Sequence, residues 1–359
     1  MNELKDQHIL ILGLGISGLA MARWCVRQGA RVVVADTREQ PPFREQLAVD
    51  CPQAEWVCGG SFDAALLGRA AWHLIARSPG LPPAQLAPVL EHARVQGIAV
   101  VGELELFARA LAGLSRRDNL LPYRPKVLAV TGTNGKTTVT ALTGLLLQRA
   151  GWRVVVAGNI GPALLDVLAQ ALDDEARAHA EDERRRAEEE ARAEREGATD
   201  AAAAPEEAVP TPQGDAMDTE AANATGIDPA DDGPPPIAPP PPEPPQPPHL
   251  PQAWVLELSS FQLDGTSGGA WDGIPTAATV LNITEDHLDW HGSMAAYAEA
   301  KRAVFGSDAL MLLNRDDSLV MAMQPGLVTV KISGRNRQVP ARAWASFGLD
   351  TPVRSGDWG

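Results

Sequence analysis

The chain has 359 residues, 45% of them hydrophobic, enough for two domains that each bury a core. Its formal net charge of −15 arises in one stretch: residues 173–250 hold 21 acidic and 6 basic residues, and the remainder holds 25 of each. No basic stripe is left over for nucleic acid and no apolar run is long enough to cross a bilayer; the three cysteines, Cys25, Cys51 and Cys58, lack metal-type spacing, so a reduced, cytoplasmic protein without membrane insertion is expected.

Residues 1–124 alternate strand-like runs at 8–12, 30–35, 72–76 and 98–101 with helical stretches such as 19–28 and 84–96, the pattern of βαβ crossovers. Gly13-Leu14-Gly15-Ile16-Ser17-Gly18 follows the first strand and opens the first helix as a Gly-x-Gly-x-x-Gly turn. The next strand ends at Asp36, where a dinucleotide fold places its ribose-binding acid. A second block begins near Pro125. The run V-L-A-V-T-G-T-N-G-K-T-T, residues 127–138, is a strand that breaks into a glycine-rich turn before a helix. Gly132 and Gly135 let the backbone curl so that N–H groups at Thr133, Asn134 and the helix start point at phosphate oxygens. Lys136 can reach terminal phosphates, and Thr137, followed by Thr138, can offer a hydroxyl to Mg²⁺. The spacing is two residues shorter than the usual phosphate-loop pattern.

Residues 173–196 carry no apolar stripe, and 197–250 are rich in Ala, Pro, Asp and Glu with a proline tract at 234–248. Such a segment buries too little apolar surface to offset its ordering entropy, so 173–250 reads as a disordered insertion. Beyond it, 254–258 and 277–281 are short apolar runs typical of buried parallel strands. Glu257 stands near the end of the first, followed by Ser259, Ser260 and Gln262. His287 follows the second, within Thr284-Glu285-Asp286-His287-Leu288-Asp289. Lys136, Thr137, Glu257 and His287 then converge at strand ends, an arrangement suited to magnesium and phosphate. Ser293 can cap a helix over 294–305, on which Tyr297, Lys301, Val304 and Phe305 share a stripe. Lys301 either snorkels outward or stands near the site as a neutral amine, the form that CO₂ can carbamylate.

The expected fold class is α/β: a Rossmann-like N-terminal domain over 1–124, then a P-loop-type α/β central domain over 125–359, interrupted by the insertion. Two nucleotide cradles in one chain argue against a nicotinamide dehydrogenase. They suit one site for ATP and one for a nucleotide-bearing substrate.

Together, residues 13–18, Asp36-Thr37-Arg38, Ser78-Pro79-Gly80, Gly102-Glu103-Leu104-Glu105-Leu106-Phe107, 131–138, Gly158-Asn159-Ile160-Gly161, 257–263, 282–289 and Ala300-Lys301 resemble the Mur ligase family, collinearly over all but the insertion. The resemblance implies ATP-dependent amide formation in peptidoglycan synthesis. ATP phosphorylates the alanyl carboxylate of UDP-N-acetylmuramoyl-L-alanine, and the amine of D-glutamate displaces phosphate from the acyl phosphate. It further implies that Ile16, Ser17, Asp36, Thr37, Arg38 and Gly80 hold the uridine diphosphate end, with Asn159 and Ser259 on the rest of the substrate. Gly132, Thr133, Asn134, Gly135, Lys136, Thr137 and Thr138 would hold ATP. Thr137 and Glu257 would hold one Mg²⁺, and His287 and carbamylated Lys301 a second, in a monomer.

Two departures from the family pattern stand out: the insertion, and the lack within these 359 residues of a Gly-x-x-x-Asn-x-x-Asn-like segment and of a C-terminal amino-acid-binding domain. The expectation is a chain that binds the UDP substrate but turns over poorly alone. Alternatives are a sister Mur ligase, disfavoured by Asn134 and by the Gly-x-Gly-x-x-Gly start, or a catalytically silent nucleotide-binding protein.

Overall fold

The computed structural model describes residues 3–117, 120–201, 247–332, 335–352, 354 and 356–359. The first half is built from β1 (His8–Leu12), α1 (Ile16–Arg27), β2 (Arg31–Asp36), α2 (Arg44–Asp50), β3 (Glu55–Cys58), α3 (Ala64–Leu67), β4 (Leu74–Arg77), α4 (Pro83–Gln96), β5 (Ala99–Val101) and α5 (Glu103–Leu114). Its strands pair in parallel in the order β3-β2-β1-β4-β5. Parallel strands covered on both faces read as unbroken apolar runs, and Ile9, Leu10, Ile11 and Leu12 are all fully buried. β3 escaped the sequence reading because an edge strand needs no such run: Glu55 and Trp56 are exposed.

The second half contains β6 (Lys126–Thr131), α6 (Lys136–Arg149), β7 (Val154–Gly158), α7 (Leu164–Ala201), β8 (Ala253–Glu257), α8 (Ser260–Leu263), β9 (Ala277–Val280), α9 (Leu288–His291), α10 (Met294–Arg302), β10 (Leu310–Asn314), α11 (Ser318–Met321), β11 (Leu327–Ile332), β12 (Arg335–Pro340) and β13 (Trp344–Phe347). Six strands form a parallel sheet in the order β13-β10-β9-β6-β8-β7, while β11 and β12 pair as a separate antiparallel ribbon. The register levels the carboxyl ends: Val130 pairs with Glu257, Gly158 with Glu257, and Thr131 with Val280. Ligands of open α/β sheets bind outside that edge. The strand expected over 277–281 stops at Val280, and Asn282 just beyond it turns to bond the phosphate loop. The expected helix over 294–305 is an α-helix to Arg302 and a tighter 3₁₀ turn over Ala303–Phe305.

The insertion begins later and ends earlier than 173–250. One compact unit comprises Met1–Ala176 and Gln246–Gly359, and the helical residues from Arg177 belong to a second unit. Asp173 continues α7, and Glu175 is buried against the Arg117 guanidinium at 2.5 and 2.7 Å. At the far end Arg153 donates to the carbonyls of Pro247 and Leu250, and Leu250 is buried. An ion pair at one end and two carbonyls bonded by Arg153 at the other therefore draw both ends into the fold. α7 itself runs to Ala201, so the first part of the expected disordered segment is helical. The rest of that expectation, 202–246, lies outside the described residues.

Candidate active site

The turn after β6 is shaped by two glycines. Gly132 has φ 155° and Gly135 has φ 81°, and a Cβ on Gly132 would stand 3.0 Å from that of Leu281. Gly135 is the N-cap of α6 and supplies no side chain, so the helix begins on bare N–H groups at its positive end. Residues beyond β9 hold the loop from one side. Asn282 accepts from Asn134 N at 2.8 Å and donates to Asn134 O at 3.1 Å, while Thr133 N donates to Asn282 O at 2.9 Å. Thr133 Oγ1 accepts from Thr284 N at 3.0 Å and lies 3.2 Å from the Tyr297 hydroxyl. Sequence reasoning placed Tyr297 only in a core stripe and gave Asn282 no role of its own. Their signal was position, one just past a strand end and the other a turn before Lys301.

Two amines meet on one carbonyl. Lys136 Nζ donates to Gly132 O at 3.0 Å and to Thr133 O at 2.9 Å, and Lys301 Nζ donates to Gly132 O at 2.9 Å. Lys301 is 2% exposed and its ammonium lies 4.5 Å from the centre of the Tyr297 ring, so the snorkelling reading does not hold. Burial first, and then the Lys136 charge, push its pKa down to about 7. Thr137 and Thr138 are exposed on the first turn of α6.

Glu257 is buried at the end of β8, with the Asn159 amide 3.4 Å from Oε1 and Asn159 N donating to Glu257 O at 2.8 Å. That approach needs Gly158, since a Cβ there would fall 2.1 Å from Glu257 O. Ser259 caps α8 in a reciprocal box with Gln262, which turns the chain sharply after the carboxylate strand. His287 has φ 53°, an uncommon left-handed conformation for a side-chain-bearing residue; such residues gather at functional sites. Its ring is exposed, 3.4 Å from Asp286 and packed 4.7 Å from Phe261. Sequence reasoning missed His291, whose Nε2 lies 3.0 Å from Ser260 Oγ and whose ring is parallel to Phe261.

The first glycine turn is built differently. Gly13 has φ 87°, and a Cβ on Gly18 would fall 1.9 Å from Gly13 O, so a side chain there is excluded. Asp36, buried at the end of β2, accepts from Leu14 N at 2.6 Å, from Arg38 N at 2.9 Å and from the Arg38 guanidinium at 2.7 and 2.8 Å. Burial works to raise its pKa, but the Arg38 and Leu14 hydrogen bonds outweigh burial and hold the carboxyl below its ordinary value. Both carboxylate oxygens are therefore committed to the protein rather than left for a ribose. Arg38 instead presents a half-exposed cation beside the turn. Ile16 is exposed at the turn, Thr37 half-buried, and Gly80 exposed in a loop with open space where a Cβ would stand. Ser17 is half-buried on the first turn of α1. The widest of the described cavities, about 790 Å³, lies at the opposite, amino-terminal edge of this sheet beside Trp24 and His73, away from both turns.

A family profile described as the N-terminal domain of MurD-like Mur ligases matches residues 7–102, and one described as the Mur ligase middle domain matches residues 248–346. A protein named UDP-N-acetylmuramoylalanine–D-glutamate ligase from Albidiferax ferrireducens is 46% identical over 359 residues, all of this chain and 54% of the relative. Proteins of the same name from Polaromonas sp. (36% over 442 residues, all of this chain and 61% of the relative) and Burkholderia cenocepacia (40% over 353 residues, 98% and 52%) also match. The chain thus spans about half the length of the curated relatives it matches. With its two domain profiles in order around a phosphate loop at the edge of a parallel sheet, this chain belongs to the Mur ligase family.

Proposed function

We propose that this chain provides the UDP-substrate and ATP sites of a ligase that joins D-glutamate to UDP-N-acetylmuramoyl-L-alanine. The observation that carries the reading is the meeting of Lys136, Lys301 and Glu257 at one sheet edge, beside a glycine turn that opens α6 with no side-chain cap. A carboxylate is a poor electrophile, and transfer of the γ-phosphoryl group gives it a leaving group. The amine of D-glutamate then attacks the acyl carbon and phosphate departs. Lys136 would leave the Gly132 and Thr133 carbonyls for the ATP phosphates, which offer full rather than partial negative charge. Asn159 and Ser259 would border the acyl end of the substrate. In the 1–124 domain Ile16, Ser17, Asp36, Thr37, Arg38 and Gly80 would border the diphosphate and uridine. The Arg38 cation suits the diphosphate, and the commitment of Asp36 speaks against a nicotinamide cofactor.

The donor set fits Mg²⁺, which takes hard oxygen ligands and is commonly held by one or two carboxylates together with substrate phosphates. Glu257 and Thr137 would hold one ion, and His287 and, as a carbamate, Lys301 a second; the lowered pKa of Lys301 leaves neutral amine at neutral pH. When bound, Mg²⁺ would offset the charge of the transferring phosphoryl group. Among the described residues no helix is long and apolar enough to cross a membrane. All three cysteines are free thiols, in keeping with a monomer acting in the cytoplasm.

Calorimetry on the 359-residue chain tests the reading. UDP-N-acetylmuramoyl-L-alanine and a magnesium–ATP analogue should each bind, and NADH should not. NADH binding without UDP-substrate binding would overturn it.

A further inference from the structure

Arg77 immediately precedes Ser78-Pro79-Gly80, and Asp264 immediately follows the 257–263 segment, yet no step above uses either residue. Arg77 closes β4 with its side chain only 10% exposed. A guanidinium so deep is costly unless acceptors meet it. Its acceptors come from the second half of the chain: Nη2 donates to Asp264 O at 2.8 Å and to Asp264 Oδ2 at 2.9 Å. Both bonds are charge-assisted, and they grip main chain and side chain together. Gly265 follows with φ 73°, a left-handed value that turns the chain over directly after that carbonyl. Arg77, Pro79, Phe261, Gln262 and Asp264 border a gap of only about 10 Å³, room for at most one water. The two halves of the chain close on each other here.

Each end of this contact leads to one of the site's two edges. β4 pairs with β1 with Arg77 opposite Leu12, and the next residue, Ser78, donates from N to Leu12 O at 2.9 Å and from Oγ to Gly13 O at 3.0 Å. Arg77 is therefore one residue from the group that braces the first glycine turn. Asp264 is the C-cap of α8, its N donating to Ser260 O at 2.9 Å. That helix begins at the Ser259 cap, just after Glu257, and its Phe261 ring packs 4.7 Å from His287. A single guanidinium thus joins the carboxyl edge of the first sheet to the helix that leaves the carboxyl edge of the second.

We propose that Arg77 is a positioning residue: by holding Asp264 it sets α8 in register with the first glycine turn, so that one ligand reaching from Arg38 and Gly80 to Ser259 meets both ends at once. The inference rests on the functional reading above for the identity of that ligand, but not for the junction itself. A ligand held at two subsites gains affinity only while the subsites keep the spacing it requires. Freeing α8 should therefore weaken the spanning ligand and spare ligands that occupy one end.

Calorimetry with UDP, UDP-N-acetylmuramoyl-L-alanine and a magnesium–ATP analogue on the 359-residue chain separates these cases. Arg77→Met, which keeps an apolar stem but no donor, should weaken UDP-N-acetylmuramoyl-L-alanine about tenfold and leave UDP and the ATP analogue within about twofold of wild type. Asp264→Asn keeps the main-chain acceptor and an amide oxygen, so all three affinities should stay within about twofold. Asp264→Lys, at a side chain 41% exposed and so tolerant of change, sets two cations against each other and should reproduce the Arg77→Met pattern even where that variant fails to fold. A merely structural role would lower melting temperature and weaken UDP as much as the spanning ligand. That result, or undiminished affinity for the spanning ligand in the folded variants, overturns the inference. Hydrogen exchange reads the junction with no ligand present: Arg77→Met or Asp264→Lys should speed exchange at residues 78–81 and 260–266 together, and unchanged exchange in either segment overturns the junction. A wild-type chain that binds neither UDP ligand, but whose variants show the paired exchange response, overturns the functional reading and leaves the junction standing.

Discussion

The chain carries two glycine turns in the same topological place, each between a central parallel strand and a helix, and they are secured by opposite means. The first is held from within its own sheet: Asp36 of the adjacent strand takes Leu14 N, Ser78 donates to Gly13 O, and α1 behind it buries seven of its twelve residues. The second is held from outside its own strand and helix. α6 buries only Thr140 and Gly144, and the loop is secured by Asn282, Thr284, Tyr297 and Lys301. A turn that satisfies its own charge, as the first does through Asp36 and Arg38, can await a ligand without strain. A turn that crowds two amines onto one carbonyl lacks an anion, and that lack is a binding force.

The largest expected effect tests that crowding directly. Lys301 has its pKa lowered to about 7 in the folded chain against about 10.4 in an unfolded one, so between those values the unfolded state binds more protons. Stability should therefore rise with pH across that window, by at most about 1.4 kcal/mol per unit from this residue. Lys301→Met, which keeps the length of the apolar stem, should remove that slope. Denaturant midpoints of both proteins from pH 7 to 10 in CO₂-free buffer would show it, and parallel curves would mean that Lys301 does not carry the penalty. Next in size is Lys136→Ala, which should cost the ATP analogue roughly 2–3 kcal/mol, the value of a charge-assisted hydrogen bond, with UDP-substrate affinity unchanged. Equal loss at both sites would erase the distinction between the turns.

The first turn has its own break point. Asp36→Asn keeps the shape but removes the charge that Leu14 N and Arg38 share. The folded pKa is lowered, so the carboxylate contributes stability above about pH 4 that is lost as pH falls through the folded value. The Asn variant should be less stable at pH 7 by about 1–2 kcal/mol and should converge with wild type in strong acid. Its affinity for the UDP substrate should fall while that for the ATP analogue stays, as calorimetry would report.

The two turns also differ in how far the sequence revealed them. Glycine spacing after an apolar strand exposed both, because φ values that other residues avoid leave a mark in composition. Asp36, Glu257 and His287 were visible as polar residues closing apolar runs. The restraints on the second turn were not, because Asn282 and Tyr297 reach Asn134 and Thr133 across more than a hundred residues and no local pattern encodes that pairing. Lys301 was visible as an anomaly, a lysine in an apolar stripe, but its side chain could have turned either way until Gly132 O was in place. β10 and β13 went unread for a related reason. Each is half-buried and joins the sheet by pairing with a neighbour distant in sequence. The limits of the insertion were misread by a few residues because composition reported its acidity, whereas Arg117 and Arg153 decide where the chain leaves and re-enters the fold.

The smallest effect separates the second turn's loop from the helix that supports it. Ser293 accepts from Ala296 N at 3.2 Å and begins α10, which carries Tyr297 and Lys301 one and two turns further on. Ser293→Ala should cost about 1 kcal/mol by leaving a helix-end donor unmet. If the second turn depends on α10 for its shape, the same substitution should also weaken the ATP analogue a few-fold, because Tyr297 and Lys301 lose their fixed start. The first turn, which takes nothing from α10, should keep its UDP-substrate affinity. A stability loss without any change at the ATP site would mean that Tyr297 and Lys301 are held by burial alone. In that case the contrast between the turns would lie in their loops and not in the helices behind them.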